Sequence, residues 1–195
     1  MKKNVKEMVP EAILFDRDGT LIVDTGFVHK IEDLEFYPRV IEALQHIDKK
    51  TKIIIITSQA GIGRGLYTEQ DYFIFRDHIH SLLKEKGITI VAEYFCPHHP
   101  AKGIPPYNIE CQCRKPNTAL FEQAIKDFHL NPEQCWTIGD MRRDIIAGQR
   151  VGMKGILVRT GFGGKGGDGD TITPDYVADN LYDAVEFIKH YGENS

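Results

Sequence analysis

The sequence predicts an α/β fold, a Rossmann-like doubly wound parallel sheet with helices on both faces. Short apolar runs rich in β-branched residues alternate along the chain with segments whose apolar residues recur at helical spacing. The runs are apolar at successive positions, as in strands that are buried on both faces. This alternation is typical of parallel strands joined by helices that cover the sheet.

The predicted strands are the short apolar runs, at 12–15, 52–56, 89–95, 136–138 and 155–158, with a last short strand at Val177. The predicted helices lie at 40–47, 69–86, 117–128, 145–150 and 181–188. Gly87 and Gly152 are placed to end two helices, and Asn117 or Thr118 is placed to cap a third. The glycine-rich segment 161–170 is predicted to be a mobile surface loop near the carboxyl ends of the strands.

Length, charge and hydropathy narrow the class of protein. The 195 residues suit one α/β domain, taken as 1–195, and the chain has no long insertion that would form a separate cap domain. The net charge of −4 argues against a nucleic-acid partner. No apolar run approaches the roughly 20 residues of a membrane span, and residues 1–10 lack the apolar middle of a signal peptide. We therefore expect a cytoplasmic protein with neither a membrane nor a nucleic acid as partner.

Two carboxylates, Asp16 and Asp18, follow the first predicted strand directly. Residues two apart in an extended segment point the same way, so both carboxylates can face one pocket. One can then act as a nucleophile and the other as a general acid and base. Gly19 permits a tight turn beside a ligand. Taken alone, the same residues are also typical of a solvated Asp-Gly turn.

Polar residues after later strands favour the catalytic interpretation. Thr57 and Ser58 follow the second strand, and Asp140 and Asp144 follow the fourth. Ligands of parallel sheets bind beyond the carboxyl ends of the strands, so these side chains should meet the first carboxylate pair there. Several carboxylates at one edge suit Mg²⁺, a hydroxyl can bond a phosphoryl oxygen, and Lys115 can neutralise both a phosphate and the carboxylates. The expected ligand is a small phosphorylated metabolite.

A second metal site is predicted where cysteines and histidines crowd together, at Cys96, His98, His99, Cys111 and Cys113. Three sulfurs and one nitrogen form a closed tetrahedral set, which suits a structural Zn²⁺ and leaves no open position for catalysis. Spacing does not decide which histidine is the ligand; His99 would otherwise line the substrate pocket or, more simply, face solvent. Zinc would hold the loop between its ligands, about 96–113, next to Lys115. Cys135, outside the cluster, is predicted to be an inert core thiol.

Together these motifs resemble those of the haloacid dehalogenase-like phosphatases over about residues 12–160. The matching stretches are Phe15-Asp16-Arg17-Asp18-Gly19-Thr20, Ile56-Thr57-Ser58-Gln59, Arg114-Lys115-Pro116, and Gly139-Asp140 followed by Asp144. The resemblance implies that Asp16 attacks phosphorus, while Asp18 protonates the leaving oxygen and later activates water, with Lys115 assisting. It implies a catalytic Mg²⁺ held by Asp16, the backbone carbonyl of Asp18, and Asp140. Asp144 would orient the water shell of the metal or hydrogen-bond near Lys115.

The zinc loop joined to Cys113-Arg114-Lys115-Pro116 resembles one branch of that superfamily, which holds heptose 1,7-bisphosphate 7-phosphatases and histidinol-phosphate phosphatases. Segments 24–36, 57–65 and 96–100 are most similar to the heptose enzymes. The resemblance implies hydrolysis of the 7-phosphate of D-glycero-D-manno-heptose 1,7-bisphosphate by a monomer. It implies His98 as the fourth zinc ligand, and it assigns substrate contacts to four residues, Thr57, Ser58, Gln59 and Arg114.

Two departures from the family pattern leave four other functions open. Ser58 stands where the family commonly has asparagine, and Met141-Arg142-Arg143 is unusually basic, which indicates either a phosphate contact or a solvated helical turn. The alternatives of the same class are a histidinol-phosphate phosphatase, a broad sugar-phosphate phosphatase, and a phosphotransferase to an acceptor other than water. The alternative of another class is a zinc-stabilised binding module without catalysis.

Overall fold

The computed structural model describes residues 9–165 and 173–191, and its six strands form one parallel sheet. The strands are β1 (Ala12–Phe15), β2 (Lys52–Ser58), β3 (Ile90–Cys96), β4 (Cys135–Gly139), β5 (Lys154–Val158) and β6 (Tyr176–Ala178). Their order across the sheet is β3-β2-β1-β4-β5-β6, with every neighbouring pair parallel. The chain winds outward from β1 in both directions, so the predicted doubly wound sheet is confirmed.

The described residues form six α-helices, α1 (Val40–Gln45), α2 (Ala60–Gly63), α3 (Glu69–Glu85), α4 (Ala119–Phe128), α5 (Arg142–Arg150) and α6 (Leu181–His190). Apolar residues of α1, α3 and α6 share one buried cluster with Phe15 and Ile55. Apolar residues of α4 and α5 share another with Leu14 and Ile54. Successive strand residues thus point to opposite cores, which is why the strands read as continuous apolar runs.

Several element ends differ from the prediction for local reasons. The second strand continues through Thr57 and Ser58, because both pair with β3. Helix α5 begins at Arg142, three residues before the predicted start, and the Asp144 carboxylate accepts a hydrogen bond from the Met141 amide at its N-terminus. The predicted side-chain cap of α4 is wrong: Thr118 stands at the N-cap position, but its hydroxyl bonds Glu122 instead. The short helix α2 was not predicted, since four residues are too few for a periodic signal.

The connections at the carboxyl ends of the strands carry the polar residues Asp16, Asp18 and Asp140. Among residues 9–165 and 173–191, no connection contains an inserted cap domain. Within the same residues, no helix combines the length and apolar character needed to cross a membrane.

Candidate active site

A cavity of about 300 Å³ opens at the carboxyl ends of β1, β2 and β4. Asp16 and Asp18 come from the turn after β1, Ser58 from the end of β2, and Arg114 from the segment before α4. The strands lie side by side in the order β2-β1-β4, so residues far apart in sequence meet at this edge. The predicted convergence is confirmed.

Lys115 lies beneath the cavity and joins two carboxylates. Its Nζ is 2.6 Å from Asp16 Oδ1 and 2.6 Å from Asp144 Oδ1, and it donates a 2.8 Å hydrogen bond to the Ile56 carbonyl. Burial by itself lowers the pKa of Lys115, but Asp144 and Asp16 outweigh it and raise that pKa above its ordinary value. Lys115 is therefore a fixed cation. Of the two roles predicted for Asp144, hydrogen bonding at Lys115 is the one observed.

Three carboxylates, those of Asp16, Asp140 and Asp144, have oxygens within 4.8 Å of one another and could hold a metal ion. Burial raises the pKa of Asp16 well above its usual range; Lys115 opposes this shift and the neighbouring aspartates add to it. Burial and then Asp144 raise the pKa of Asp140 to about 7. An oxygen-rich group whose negative charges repel one another fits a hard divalent cation such as Mg²⁺.

Asp140 is held in place by backbone groups that the sequence analysis did not identify. The Phe162 amide donates a 2.7 Å hydrogen bond to Asp140 Oδ2, and the Gly164 amide donates one to the Asp140 carbonyl. Gly19 and Gly161 have φ of 87° and 54°, and a Cβ on either would collide with Asp140 Oδ2. The described part of the glycine-rich segment, 161–165, thus lies against the site; residues 166–170 fall outside the described residues.

Arg17 and Gln59 hydrogen-bond to the Asp18 carboxylate from the side that is turned away from the cavity. Arg17 donates from Nε to Asp18 Oδ1 at 2.9 Å and from Nη2 to Oδ2 at 3.0 Å, and Gln59 Nε2 donates to Oδ2 at 2.9 Å. The Asp18 side chain is 20% exposed while the Arg17 side chain is 1% exposed. The carboxylate therefore faces the cavity with its orientation fixed from behind.

The residues assigned to substrate contact fall into two groups. Ser58 and Arg114 line the cavity, and the Ser58 hydroxyl is buried without a hydrogen-bond partner in the described structure. Thr57 and Gln59 are almost fully buried and are not among the lining residues; their side chains bond each other at 2.7 Å. The family motif assigns substrate contacts to Thr57 and Gln59 as well, but the structure places them behind Asp18, where Gln59 helps to orient it.

One wall of the cavity is cationic. Arg64, Arg114 and Arg143 line it together with His99, and within the described ranges none of these arginines has an ion-pair partner. Arg143 Nε is buried without a hydrogen-bond partner in those ranges. Burial, and then the nearby Arg143, lower the pKa of Arg114. An unneutralised cluster of guanidinium groups is a site for an anion, and a planar fork suits phosphate.

The predicted zinc ligands meet at the end of β3. Cys113 Sγ lies 2.9 Å from Cys96 Sγ and 3.3 Å from Cys111 Sγ. His98 Nδ1 lies 3.2 Å from Cys113 Sγ and 3.8 Å from Cys96 Sγ. All four cysteines of the chain are free, and burial raises the pKa of Cys96 and Cys113, so thiolates here require a cation. Four converging soft donors fit a closed Zn²⁺ site.

Two further predictions about this region are decided by the structure. His98, not His99, lies among the cysteines, and His99 lines the cavity while its side chain stays partly exposed. Cys135 is apart from the cluster and buried, as predicted, with its thiol bonded to the Asn131 carbonyl.

Known proteins with similar sequences and structures lead to one family. The HAD-hydrolase-like family model matches residues 112–184. D-glycero-beta-D-manno-heptose-1,7-bisphosphate 7-phosphatase of Haemophilus ducreyi is 37% identical over 93% of this chain and 100% of its own length. D-glycero-alpha-D-manno-heptose-1,7-bisphosphate 7-phosphatase of Photorhabdus laumondii is 41% identical over 75% of this chain and 81% of its own. The crystal structure of D,D-heptose 1,7-bisphosphate phosphatase from B. bronchiseptica, complexed with magnesium and phosphate, superposes with a TM-score of 0.80 at 26% identity, covering 93% of this chain and 99% of that one.

Proposed function

We propose, since this chain belongs to the haloacid dehalogenase-like phosphatases, that it removes the 7-phosphate from D-glycero-D-manno-heptose 1,7-bisphosphate. The chain is a phosphomonoester hydrolase by family membership. The observation that carries the substrate is the cavity itself, which has Asp16 at its base and an unneutralised arginine wall beside it. A substrate with two phosphates satisfies both features, since one phosphate is attacked while the other binds the wall.

The first half of the proposed reaction transfers the phosphoryl group to Asp16. Lys115 binds Asp16 Oδ1, which leaves Oδ2 as the attacking oxygen. A bond forms between Oδ2 and phosphorus as the bond from phosphorus to the sugar oxygen breaks. Asp18 gives its proton to that oxygen, so the sugar leaves as an alcohol. The buried Ser58 hydroxyl and the Lys115 ammonium are placed to stabilise charge on the phosphoryl oxygens.

The second half returns the enzyme to its starting state. Asp18, now a carboxylate, accepts a proton from a water molecule as that water attacks phosphorus. The bond from phosphorus to Asp16 breaks, and inorganic phosphate is released. Arg17 and Gln59 hold the Asp18 carboxylate in the same orientation through both steps, because all their hydrogen bonds to it come from behind the cavity.

Two metal ions are proposed for the working enzyme. Mg²⁺ would be held by Asp16, Asp140 and the backbone carbonyl of Asp18, with Asp144 close by, and when bound it offsets the repulsion between a phosphate and the carboxylates. Zn²⁺ would be held by Cys96, His98, Cys111 and Cys113, where it has no open position for chemistry. It would tie both ends of the 96–113 loop to β3 and so position Arg114 and His99.

The test is phosphate release, with Mg²⁺ and zinc-loaded protein, from both anomers of heptose 1,7-bisphosphate, from histidinol phosphate and from common sugar monophosphates. We expect one heptose anomer to be strongly preferred, with phosphorus NMR of the product showing the phosphate retained at carbon 1. The two relatives described above differ in the anomer that they are named for, so the assay also decides the anomer.

A matched control is Asp16→Asn, which keeps size and shape but removes the nucleophile. It should fold normally and release no phosphate from any substrate. A preference for histidinol phosphate would overturn the proposed substrate, and equal rates on all sugar phosphates would favour a broad phosphatase. Transfer of phosphate to added alcohols at the expense of hydrolysis would favour the phosphotransferase. A monomeric state and a cytoplasmic location remain predictions.

A further inference from the structure

A buried carboxylate lies outside the cavity and is not used by the proposed reaction. Glu93 stands in the middle of β3, where its register partner is Ile55 of β2, itself paired with Phe15 of β1. This row of side chains faces the core formed with α1, α3 and α6, and the Glu93 side chain is 0% exposed. A carboxylate in an apolar row is unfavourable unless polar partners compensate it, so its partners indicate its role.

The partners of Glu93 come from two sides. From helix α3, the Tyr72 hydroxyl donates a 2.8 Å hydrogen bond to Oε1, and His80 Nε2 lies 2.8 Å from Oε2. From the turn after β1, Arg17 Nη1 lies 4.0 Å from Oε1 and has no hydrogen-bond partner in the described structure. The Arg17 guanidinium carbon also lies 5.1 Å from the Phe75 ring centroid. Glu93 is thus held by α3 and faces the free edge of Arg17.

The other edge of the same guanidinium group holds Asp18. Its Nε and Nη2 bind the two oxygens of the Asp18 carboxylate, and Nη2 also bonds the Gln59 side chain and the Val28 carbonyl. The guanidinium plane is thus hydrogen-bonded along one edge and faces the charge of Glu93 with the other, and the two together favour one orientation. If the charge at Glu93 were removed, Asp18 would be the only remaining carboxylate partner of Arg17 among the described residues, and the plane could tilt toward it.

We infer that Glu93 is a positioning residue for Asp18, acting through Arg17. Its carboxylate, fixed by Tyr72 and His80, keeps the guanidinium plane oriented and thereby aims Asp18 at the oxygen of the leaving group. The inference rests on the proposed acid and base role of Asp18. Glu93 touches neither the cavity nor the metal-binding carboxylates, so its effect should be confined to proton transfer.

The test compares two substrates that differ in their need for an acid. The sugar phosphate that the unmodified enzyme prefers has a poor leaving group, whereas 4-nitrophenyl phosphate has a leaving group that departs with little protonation. In Glu93→Gln, kcat/KM should fall about tenfold for the sugar phosphate and less than about twofold for 4-nitrophenyl phosphate. An equal loss on both substrates, or no loss on either, would overturn the inference.

A second variant covers the case in which Glu93→Gln does not fold. Tyr72→Phe removes one hydrogen bond to Glu93 and should show the same selectivity between substrates, with a loss of about threefold. Tyr94→Phe is the matched control, since Tyr94 is the next residue of β3 and its hydroxyl bonds Asp127, away from Arg17. When Arg17 is already replaced by lysine, Glu93→Gln should cause no further loss of kcat/KM that is specific to the sugar phosphate. The guanidinium group that connects Glu93 to Asp18 is absent in that background.

The outcome for Glu93 is separable from the outcome for the proposed function. If unmodified protein hydrolyses neither substrate, the proposed function fails, and the positioning role of Glu93 fails with it because that role rests on proton transfer by Asp18. If unmodified protein hydrolyses both and Glu93→Gln and Tyr72→Phe match it on both, only the positioning role is wrong.

Discussion

Replacing Lys115 by methionine should destabilise the protein by an amount that depends on pH. Its ammonium lies 2.6 Å from both Asp16 Oδ1 and Asp144 Oδ1, and its side chain is 2% exposed. Methionine keeps the approximate length of the side chain but removes its charge. The carboxylate group can then restore its charge balance by taking up one proton, and the cost of that proton sets the size of the effect.

The magnitude is set by the unfolded chain, in which an aspartate has its ordinary pKa of 3.8 and must be protonated to match the folded variant. At pH 7 protonating an aspartate with that pKa costs about 4.5 kcal/mol, because each pH unit above the pKa costs about 1.4 kcal/mol. The lost hydrogen bond to the Ile56 carbonyl adds about 1 kcal/mol. The free energy of unfolding should therefore fall by about 5–6 kcal/mol at pH 7, close to the upper end of what broken buried pairs cost. At pH 5 protonating the aspartate costs less free energy, so the loss in the free energy of unfolding should shrink to about 2–3 kcal/mol.

Urea unfolding at pH 5 and pH 7 measures this difference, in magnesium-free buffer without a chelator so that the proposed zinc site is not stripped. Lys126→Met, an exposed position in the last turn of α4, is the control and should change stability by less than about 0.5 kcal/mol. Added Mg²⁺ should recover part of the loss at pH 7. An equal loss at both pH values would refute the reasoning, since Lys115 would then act only through packing.

Three further predictions concern the metal sites and the arginine wall. Cys111→Ser should lower both the zinc content, measured by metal analysis, and the phosphatase activity. Cys135→Ser changes a buried thiol outside the cluster and should leave the zinc content unchanged, so equal zinc content in the two variants would contradict the assigned ligands. Arg143→Met should raise KM for the bisphosphate about tenfold and change KM for a sugar monophosphate little, because only the bisphosphate has a second phosphate for Arg143 to bind. Equal KM changes for the two substrates would show that Arg143 does not bind the second phosphate. Gly161→Ala should raise the Mg²⁺ concentration for half-maximal activity about tenfold, because the new Cβ meets Asp140 Oδ2. Gly163→Ala is its control, since Gly163 shares a positive φ of 56° but does not touch Asp140, and an equal shift there would point to general loop strain.

Much of the site was predictable because it depends on topology alone. Parallel strands bring their carboxyl ends to one edge, so the positions of Asp16, Ser58 and Asp140 after successive apolar runs were sufficient to place them together. Cysteine spacing was likewise sufficient to place the three cysteines of the proposed zinc site together, since few arrangements of their sulfurs are compatible with such short separations. Spacing did not separate His98 from His99, because adjacent residues in a loop have no periodicity from which direction can be read.

The parts that were missed depend on register and on backbone conformation. Glu93 meets Arg17 only because of how β3 aligns with β2, and a single strand contains no information on its alignment. The Phe162 amide reaches Asp140 through a loop whose conformation is set by Gly161 and Gly163 at positive φ. Thr57 and Gln59 were assigned to the substrate by motif, but the two-residue alternation at the end of β2 turns them away from the cavity.

The wide sequence separation of the residues in the site has a consequence for folding. Lys115 and Asp16 are 99 residues apart, and Thr160 bonds the Gly19 carbonyl across 141 residues. Contacts of such long range close large loops and form late when a chain folds. Recovery of phosphatase activity after dilution from denaturant should therefore lag behind recovery of the helical circular dichroism signal. The rate at which activity returns would then measure the last step of folding. Synthesis on the ribosome imposes the same order, since Thr160 must emerge before the pocket around Asp16 can close.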